Sequence, residues 1–325
     1  MEEKSKSIDY LAIIKKAFTL TWSRRNLWWF GFLASLSGSS LYFNFPLNGS
    51  DDDAQQSMDS IVNFAVNHKW LILTAASLFI LLFIVIIIFS TLGRGALIKT
   101  ADDALRGQAT AKFKSELKNS GQYFWRLLAI SFTLGFFLFL VTLVLAIPIV
   151  FLFINNIIIT GIFLLILAFL ILVPLSLLAV FLRNYGYLYA ILGYLKFWDA
   201  LENAYLLLRK NILSSLILII LFIPINITFF VIAAMIMLPV VVIFFVVGLV
   251  AYAIAKNIGV IIIVSLGLII LIPLILLLKS IFETFSQLVW IIFFHEIAKP
   301  KIKEKIREKV IEPKISVEPD VASGI

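Results

Sequence analysis

Uncharged apolar runs, most of them long enough to cross a lipid bilayer, recur along the chain between short polar segments. A helix needs roughly 20 apolar residues to cross the ~30 Å hydrocarbon core, because each residue rises by about 1.5 Å. Five runs reach this length without a charged residue, namely 70–92, 127–154, 157–182, 212–238 and 258–278. A sixth run, 27–45, is shorter and contains Gly and Ser, so it is a span or a re-entrant hairpin, and we favour the span. The pattern predicts an all-α integral membrane protein with six transmembrane helices.

The composition and the placement of charge give this protein an orientation. Hydrophobic residues make up 62% of the chain and the mean hydropathy is +1.07, whereas soluble domains have ~45–50% apolar residues. Six Lys and Arg precede residue 27, seven lie in 94–126, four in 183–210 and eight from 279 onward, which places 25 of the 27 on one side of six spans. By the positive-inside rule this side is cytoplasmic, so we expect a protein of the cytoplasmic membrane with both termini inside. The high pI then indicates anionic lipid headgroups on the cytoplasmic side as partners, and not nucleic acid.

One uncharged stretch, residues 212–255, is long enough to hold two crossings. A seventh crossing would move the basic residues after Leu278 to the outer side and make the charge distribution less uneven. We therefore interpret 212–238 as one span that ends near Pro239. Residues 240–255 are then an outer-leaflet, re-entrant or helix-extending segment, and the pattern does not choose among the three.

A short amphipathic stretch precedes each pair of predicted spans. Both the first stretch and the third place aromatic and aliphatic residues at helical spacing on one face, Leu11, Ile14, Phe18 and Trp22 in the first and Tyr194, Phe197, Trp198, Leu201, Ala204, Tyr205 and Leu208 in the third. The second stretch, around 113–117, is weaker. Such stretches are typical of helices that lie in the headgroup layer, so we expect cytoplasmic interfacial helices. The similar residues at 24–27 (RRNL) and 209–212 (RKNI) favour a three-unit repeat.

The composition divides the chain into a polytopic membrane domain, residues 1–298, and a basic cytoplasmic tail, residues 299–325. The tail is rich in Lys, Glu and Pro, and Ile302, Ile306 and Val310 predict a short basic helix in it. We expect the rest of the tail to be disordered. The tail is also the segment where we expect contact with a protein partner.

The sequence predicts no catalytic residues, no metal site and no cofactor. It contains two His and no Cys, and it lacks the glycine-rich and nucleophile motifs of nucleotide-binding and acyl-transfer proteins. His295 precedes Glu296, but no second His follows at the spacing of a helical zinc site. The acidic triplet 51–53 lacks the ligand spacing of a calcium loop, so we interpret it as a solvated turn. We therefore expect that the protein is not an enzyme.

Two basic pairs are candidates for binding lipid headgroups. Arg24 and Arg25 stand directly before one predicted span, and Arg209 and Lys210 stand directly before another. Each pair follows an amphipathic stretch, and two adjacent cations at the inner surface suit a lipid phosphate. The alternative is that the pairs only determine topology and anchor the ends of the spans.

A second candidate is an intramembrane polar site at Asn226 and Thr228. Both residues lie in the run 212–238 close to Pro224, which frees a backbone carbonyl. The alternative is that they form hydrogen bonds with a neighbouring helix. All six runs lack ionisable residues, which argues against a carrier that is coupled to protons or sodium ions.

The segments 17–32 (AFTLTWSRRNLWWFGF) and 173–213, which includes YLKFWDALENAYLLLR (194–209), combine an aromatic amphipathic stretch with a basic pair before a span. In this the chain resembles six-span membrane families, and most closely the membrane domain attached to some glycerophosphoryl diester phosphodiesterases. The resemblance covers most of the chain and implies an integral membrane module without the metal-dependent catalytic domain. We expect a non-catalytic, lipid-interacting structural or accessory module. The alternative is a transporter or permease for a small or lipid-like solute, which a polar cavity around Asn226 would favour.

Overall fold

The computed structural model describes residues 8–36, 69–108 and 113–298, and throughout this part of the chain the regular structure is helical, without a β-strand. The helices are α1 (Tyr10–Ser23), α2 (Leu27–Ser35), α3 (Lys69–Leu105), α4 (Phe113–Ser120), α5 (Phe124–Ile154), α6 (Ile158–Leu192), α7 (Phe197–Lys210) and α8 (Ile212–Ile297), with a 3₁₀ turn at Gly121–Tyr123 between α4 and α5. The prediction of an all-α protein is confirmed for the described residues. The predicted tail 299–325 lies outside them.

Four helical segments of the described chain are long and apolar enough to cross a membrane: Lys69–Leu105, Phe113–Ile154, Ile158–Leu192 and Ile212–Ile297. They contain five of the six predicted spans, because α8 contains both 212–238 and 258–278. The sixth predicted span, 27–45, begins in α2, and its second half lies outside the described residues. The number of crossings therefore stays a prediction.

Helix α8 reverses direction at Lys256, whose backbone has the left-handed φ of 50° and a ψ of −134°. Across the turn, Gly267 faces Phe244, and the rings of Phe229 and Phe282 lie 4.6 Å apart. Helix α8 is thus a hairpin of two antiparallel arms, residues 212–255 and 257–297.

The first arm of α8 decides among the alternatives left open for residues 240–255, because the helix does not end near Pro239. It passes through Pro224 and Pro239 and continues to the turn at Lys256. Of the three alternatives for residues 240–255, the helical extension is the one observed. A proline removes only one backbone donor, and the residues that follow Pro239 are apolar and offer no capping group, so the helix continues.

Buried residues concentrate at one end of the molecule, which we call the packed end. It comprises α1, α2 and α7 together with residues 90–104, 123–130, 181–191 and 278–298 of the longer helices. The largest side chains that are fully buried belong to it, among them Phe30, Tyr123, Tyr185, Phe293 and Phe294. The helices pack tightly here and diverge from here.

The remaining lengths of α3, α5, α6 and α8 project from the packed end, and we call them the projecting arms. Every residue from 69 to 85 of α3 is exposed, and the α5–α6 hairpin, which turns at Asn156, is largely exposed as well. Apolar side chains form almost all of this surface. Soluble proteins rarely expose apolar patches larger than a few hundred Å².

Helix α2 lies so close to α3 and α8 that glycine is required at two contacts. A Cβ on Gly31 would meet the hydroxyl of Thr284 and would lie 2.5 Å from the carbonyl oxygen of Ser280. A Cβ on Gly93 would meet the Leu33 side chain. The hydroxyl of Ser280 donates a hydrogen bond to the carbonyl of Trp28, so α2 is held by polar as well as steric contacts.

The first two predicted amphipathic stretches form helices α1 and α4, and residues 197–208 of the third lie in α7, whereas Tyr194 lies between α6 and α7 with a left-handed φ of 52°. In α1, the face that packs on the protein is the one with Ile13, Ala17 and Thr21, which are buried. The larger apolar residues of α1, among them Phe18 and Trp22, are exposed. The face that we took as the apolar face of the helix thus points away from the protein. An internal repeat stays a prediction.

Candidate functional site

A cavity of about 480 Å³ lies between α3, α5 and α6, where the projecting arms leave the packed end. One wall is polar and consists of Ser90, Thr91, Arg94, Ser131, Arg183 and Tyr187. The rest of the lining is apolar, and the part that we call the apolar flank consists of three phenylalanines of α5, Phe132, Phe136 and Phe139, whose side chains are half or more exposed. The volume is within the ~300–1,000 Å³ that is usual for ligand sites.

Arg94 is held in place by groups from two other helices. Its Nη2 lies 3.5 Å from Oε1 of Glu283 in α8, and its guanidinium carbon lies 5.7 Å from the centre of the Tyr187 ring in α6. The same Glu283 oxygen accepts a hydrogen bond from Nε2 of Gln287 at 3.3 Å. An arginine above an aromatic ring gains cation–π attraction, so Tyr187 and Glu283 together fix the orientation of Arg94.

Arg183 brings a second positive charge into the same cavity. Within the described part of the chain the Arg183 side chain forms no ion pair, and the carboxylate of Glu283 contacts Arg94 instead. We call Arg94, Arg183 and Glu283 the charged cluster. The cluster therefore places two guanidinium groups against one carboxylate. Its formal charge is +1.

The hydroxyl groups of the polar wall already have acceptors for their protons. Ser90 donates to the carbonyl of Ala34 at 3.2 Å, and Thr91 donates to that of Ile87 at 2.8 Å. Ser131 donates to the carbonyl of Leu127 at 3.1 Å, which leaves Tyr187 as the donor in the hydrogen bond between the two side chains. The guanidinium groups are therefore the donors that a ligand would meet.

The charged cluster lies beside uncharged segments of its neighbours. Tyr187 contacts Ser131, and Arg183, one turn before Tyr187 in α6, lines the cavity together with α5 residues in the range 131–139. At 1.5 Å per residue, residues 131–139 of α5 lie about 6–18 Å along their helix from Leu127, where the predicted span begins.

The carboxylate of the cluster, Glu283 in the second arm of α8, also lies level with an uncharged segment, which belongs to the first arm of α8. Glu283 follows Phe282, whose ring contacts Phe229 of the antiparallel arm. Phe229 lies about 26 Å along its helix from Ile212, where the uncharged run begins. A count of charges run by run did not reveal this cluster, because each charge lies outside the run of its own helix. One feature of the sequence did indicate the cluster. The uncharged stretch before Lys256, 212–255, is longer than the one after it, 257–278. In a hairpin, the charged residues that follow Leu278 therefore lie beside uncharged residues of the longer arm.

The basic pairs predicted to bind headgroups lie at the packed end, at the C-terminal ends of α1 and α7. Arg25, Arg209 and Lys210 are exposed and Arg24 is half-buried. Among the described residues, no hydrogen bond or ion pair joins one pair to the other. The structure therefore leaves them as two separate surface sites, and their role stays a prediction.

Asn226 and Thr228 lie on an exposed side of the first arm of α8. The Asn226 amide donates to the carbonyl of Phe222 in its own helix at 2.7 Å. Neither residue lines the cavity between α3, α5 and α6. The structure thus places the polar wall elsewhere, and a site at Asn226 stays a prediction.

A second polar cluster connects the ends of α3 and α8. Nε2 of His295 lies 2.5 Å from Oδ1 of the buried Asp102, and Arg106 lies 2.9 Å from its Oδ2. Burial raises the pKa of the neighbouring Asp103 carboxyl, which lies beyond the predicted span, and the charge of Asp102 raises it further. His295, for which the sequence showed no zinc-site spacing, is thus a contact between α3 and α8. Among the described residues, no three His, Cys, Asp or Glu are placed to hold a metal ion.

Comparisons with known protein families, with curated proteins and with solved structures find no match for this chain.

Proposed function

We propose that this protein is a multi-pass protein of the cytoplasmic membrane that binds lipid and serves as a non-catalytic structural or accessory module. The observation that supports the proposal is the apolar, exposed surface of the projecting arms, which begins where the basic packed end stops. In water such a surface would drive aggregation, whereas in a bilayer acyl chains cover it without cost. The resemblance to the membrane domain of glycerophosphoryl diester phosphodiesterases agrees with this role.

The proposed topology has six crossings, with both termini on the cytoplasmic side. Four candidate helices and the reversal of α8 at Lys256 support it, because the two arms of α8 are each long enough to cross. The two hairpin turns, at Asn156 and Lys256, lie away from the packed end. The basic residues Arg24, Arg126 and Arg209 lie at the packed end. This charge asymmetry fits the positive-inside rule.

The packed end would then lie at the inner surface of the membrane, with the cavity at its edge toward the acyl chains. The exposed Phe18 and Trp22 of α1 and Trp198 of α7 are the kind of residues that insert at the acyl boundary. The basic pairs at the ends of these helices would attract anionic headgroups, each cation by roughly 1 kcal/mol. This is the way in which we propose that the module binds lipid.

The proposal is tested by extracting the protein in mild detergent and measuring the lipids that co-purify with it. We expect enrichment in anionic over zwitterionic lipid relative to the whole membrane, and loss of much of this enrichment in the R209Q/K210Q variant. A matched variant, K69Q/K256Q, removes the same charge from the opposite side and should leave the enrichment unchanged. A protein that is folded and monodisperse without detergent, or one with no enrichment, would contradict the proposal.

A transporter for a small or lipid-like solute is the second candidate. The observation that favours it is the charged cavity beside apolar helices, because charged groups at membrane depth often mark a substrate path. Proteoliposomes test it directly with a fluorescent anionic lipid in both leaflets and an impermeant quencher outside. Complete quenching, faster than in protein-free vesicles, would favour transport, whereas quenching of about half the signal would favour the module.

A further inference from the structure

We propose that the cavity between α3, α5 and α6 binds one anionic phospholipid, with the lipid phosphate between Arg94 and Arg183. This inference rests on the proposed function, because it requires the projecting arms to lie in a bilayer. It concerns a site distinct from the exposed basic pairs at the ends of α1 and α7. The chemistry that the site recognises is a phosphate anion, which a lipid or free phosphate could supply.

Charge balance is the first argument. Two guanidinium groups face one carboxylate, that of Glu283, so the described cluster has a formal charge of +1. Arg183 forms no ion pair within the described chain and lines the cavity beside residues 131–139 of α5, which carry no charge, and a charge without a partner is expensive there. A bound monoanion would neutralise the cluster, and a phosphodiester is a monoanion at neutral pH.

The donor geometry is the second argument. The wall hydroxyls donate to protein acceptors, so recognition falls to the guanidinium groups. Arginine presents planar N–H donors that suit phosphate oxygens in pairs, and it stays charged at any working pH. Arg94 is oriented by Glu283 and Tyr187, whereas Arg183 forms no ion pair within the described chain. Arg183 is therefore the residue whose removal should affect the ligand most and the fold least.

The apolar flank is the third argument, and it favours a lipid over a free anion. Phe132, Phe136 and Phe139 recur on one side of α5, and their rings are 68%, 50% and 59% exposed beside the cavity. A site built for an inorganic ion gains nothing from aromatic side chains at its mouth. Acyl chains that leave the cavity along α5 would cover these rings and bury their apolar surface. The site is amphipathic in the same sense as a phospholipid.

The test is native mass spectrometry of wild type, R183Q and R126Q after reconstitution with a mixture of phosphatidylglycerol and phosphatidylcholine. R126Q is the matched control, because Arg126 lies on α5 at the packed end, outside the cavity, and its loss changes the charge equally. We expect wild type and R126Q to retain one phosphatidylglycerol at activation energies that remove other lipids. Retention by R183Q should be at least about fivefold lower, the factor expected for one cation near an anionic headgroup. Thermal unfolding of R183Q checks that the variant is folded.

The outcomes separate this inference from the proposed function. Equal retention by all three proteins would overturn the cavity site and leave lipid binding intact, whereas no retention by any of them would contradict both. A second arm uses wild type and a variant with glutamine at Arg24, Arg25, Arg209 and Lys210, and it measures the unfolding temperature in detergent with added phosphatidylglycerol, phosphatidylcholine or inorganic phosphate. Stabilisation of both proteins by phosphatidylglycerol alone supports the inference even if R183Q fails to fold, because the variant lacks the exposed basic pairs. Equal stabilisation by inorganic phosphate would overturn a lipid as the occupant.

Discussion

Substitution of Gly31 by alanine should destabilise the packed end, because α2 has no room for a methyl group where it crosses α8. The added Cβ would lie 2.5 Å from the carbonyl oxygen of Ser280, about 0.9 Å inside the ordinary contact distance of 3.4 Å. Separating the helices would also weaken the hydrogen bond from Thr284 to the carbonyl of Leu27, which is 3.3 Å long. Forced over-packing costs about 1–3 kcal/mol, and the greater helix propensity of alanine returns at most about 1 kcal/mol. We expect a net loss of about 1–2 kcal/mol.

The assay is thermal unfolding in detergent, followed by tryptophan fluorescence, since Trp28 and Trp290 lie at the packed end. The matched control is G135A in α5, where a Cβ meets no atom within 4 Å. This variant should unfold at the wild-type temperature or slightly above it. If G31A unfolded at the same temperature as G135A, the close approach of α2 to α8 would be refuted.

Three further substitutions probe the polar cluster at the ends of α3 and α8. Replacing His295 with alanine leaves the buried Asp102 without its partner in α8 and should cost about 1–3 kcal/mol, whereas R106Q removes a half-exposed i,i+4 pair and should cost no more than about 0.5 kcal/mol. Equal unfolding temperatures for H295A and R106Q would contradict the stabilising contact between His295 and the buried Asp102. D103N removes a carboxyl whose pKa is raised in the fold, so it should stabilise the protein at pH 7. The gain in the free energy of unfolding should shrink as the pH falls toward the ordinary carboxyl pKa, where Asp103 of wild type binds a proton in both the folded and the unfolded protein. A gain that grew at low pH would show that the fold lowers the pKa of Asp103.

The positions of the long helices could be predicted from the sequence, because an uncharged apolar run is a local property. The run 127–154 lies in α5, and 258–278 lies in the second arm of α8. The helix continues past Pro239, where the span was predicted to end, because proline alone does not end a helix that has no polar residue after it. The turn instead comes at Lys256 and Asn257, the polar residues between the two runs.

The cavity could not be predicted, because it depends on how the helices are aligned with one another. Arg183 follows one apolar run and Arg94 follows another, and only the packing of α3 and α6 against α5 places them beside the same phenylalanines. The contact between Asp102 and His295 joins residues 193 positions apart, and no spacing rule connects them. Likewise, the residues of α1 that pack on the protein, such as Ala17, are too small to stand out in a pattern dominated by Phe18 and Trp22.

The most direct test of the central claim, that the packed end faces the cytoplasm and the projecting arms cross the membrane, is the accessibility of single cysteines in intact cells. The chain has no native cysteine, so each label reports one position. N257C lies at the turn of α8, and Q108C lies just beyond α3 at the packed end; both positions are exposed. The account predicts that an impermeant maleimide labels N257C in intact cells and Q108C only after the membrane is permeabilised. Labelling of both positions from the same side would contradict it.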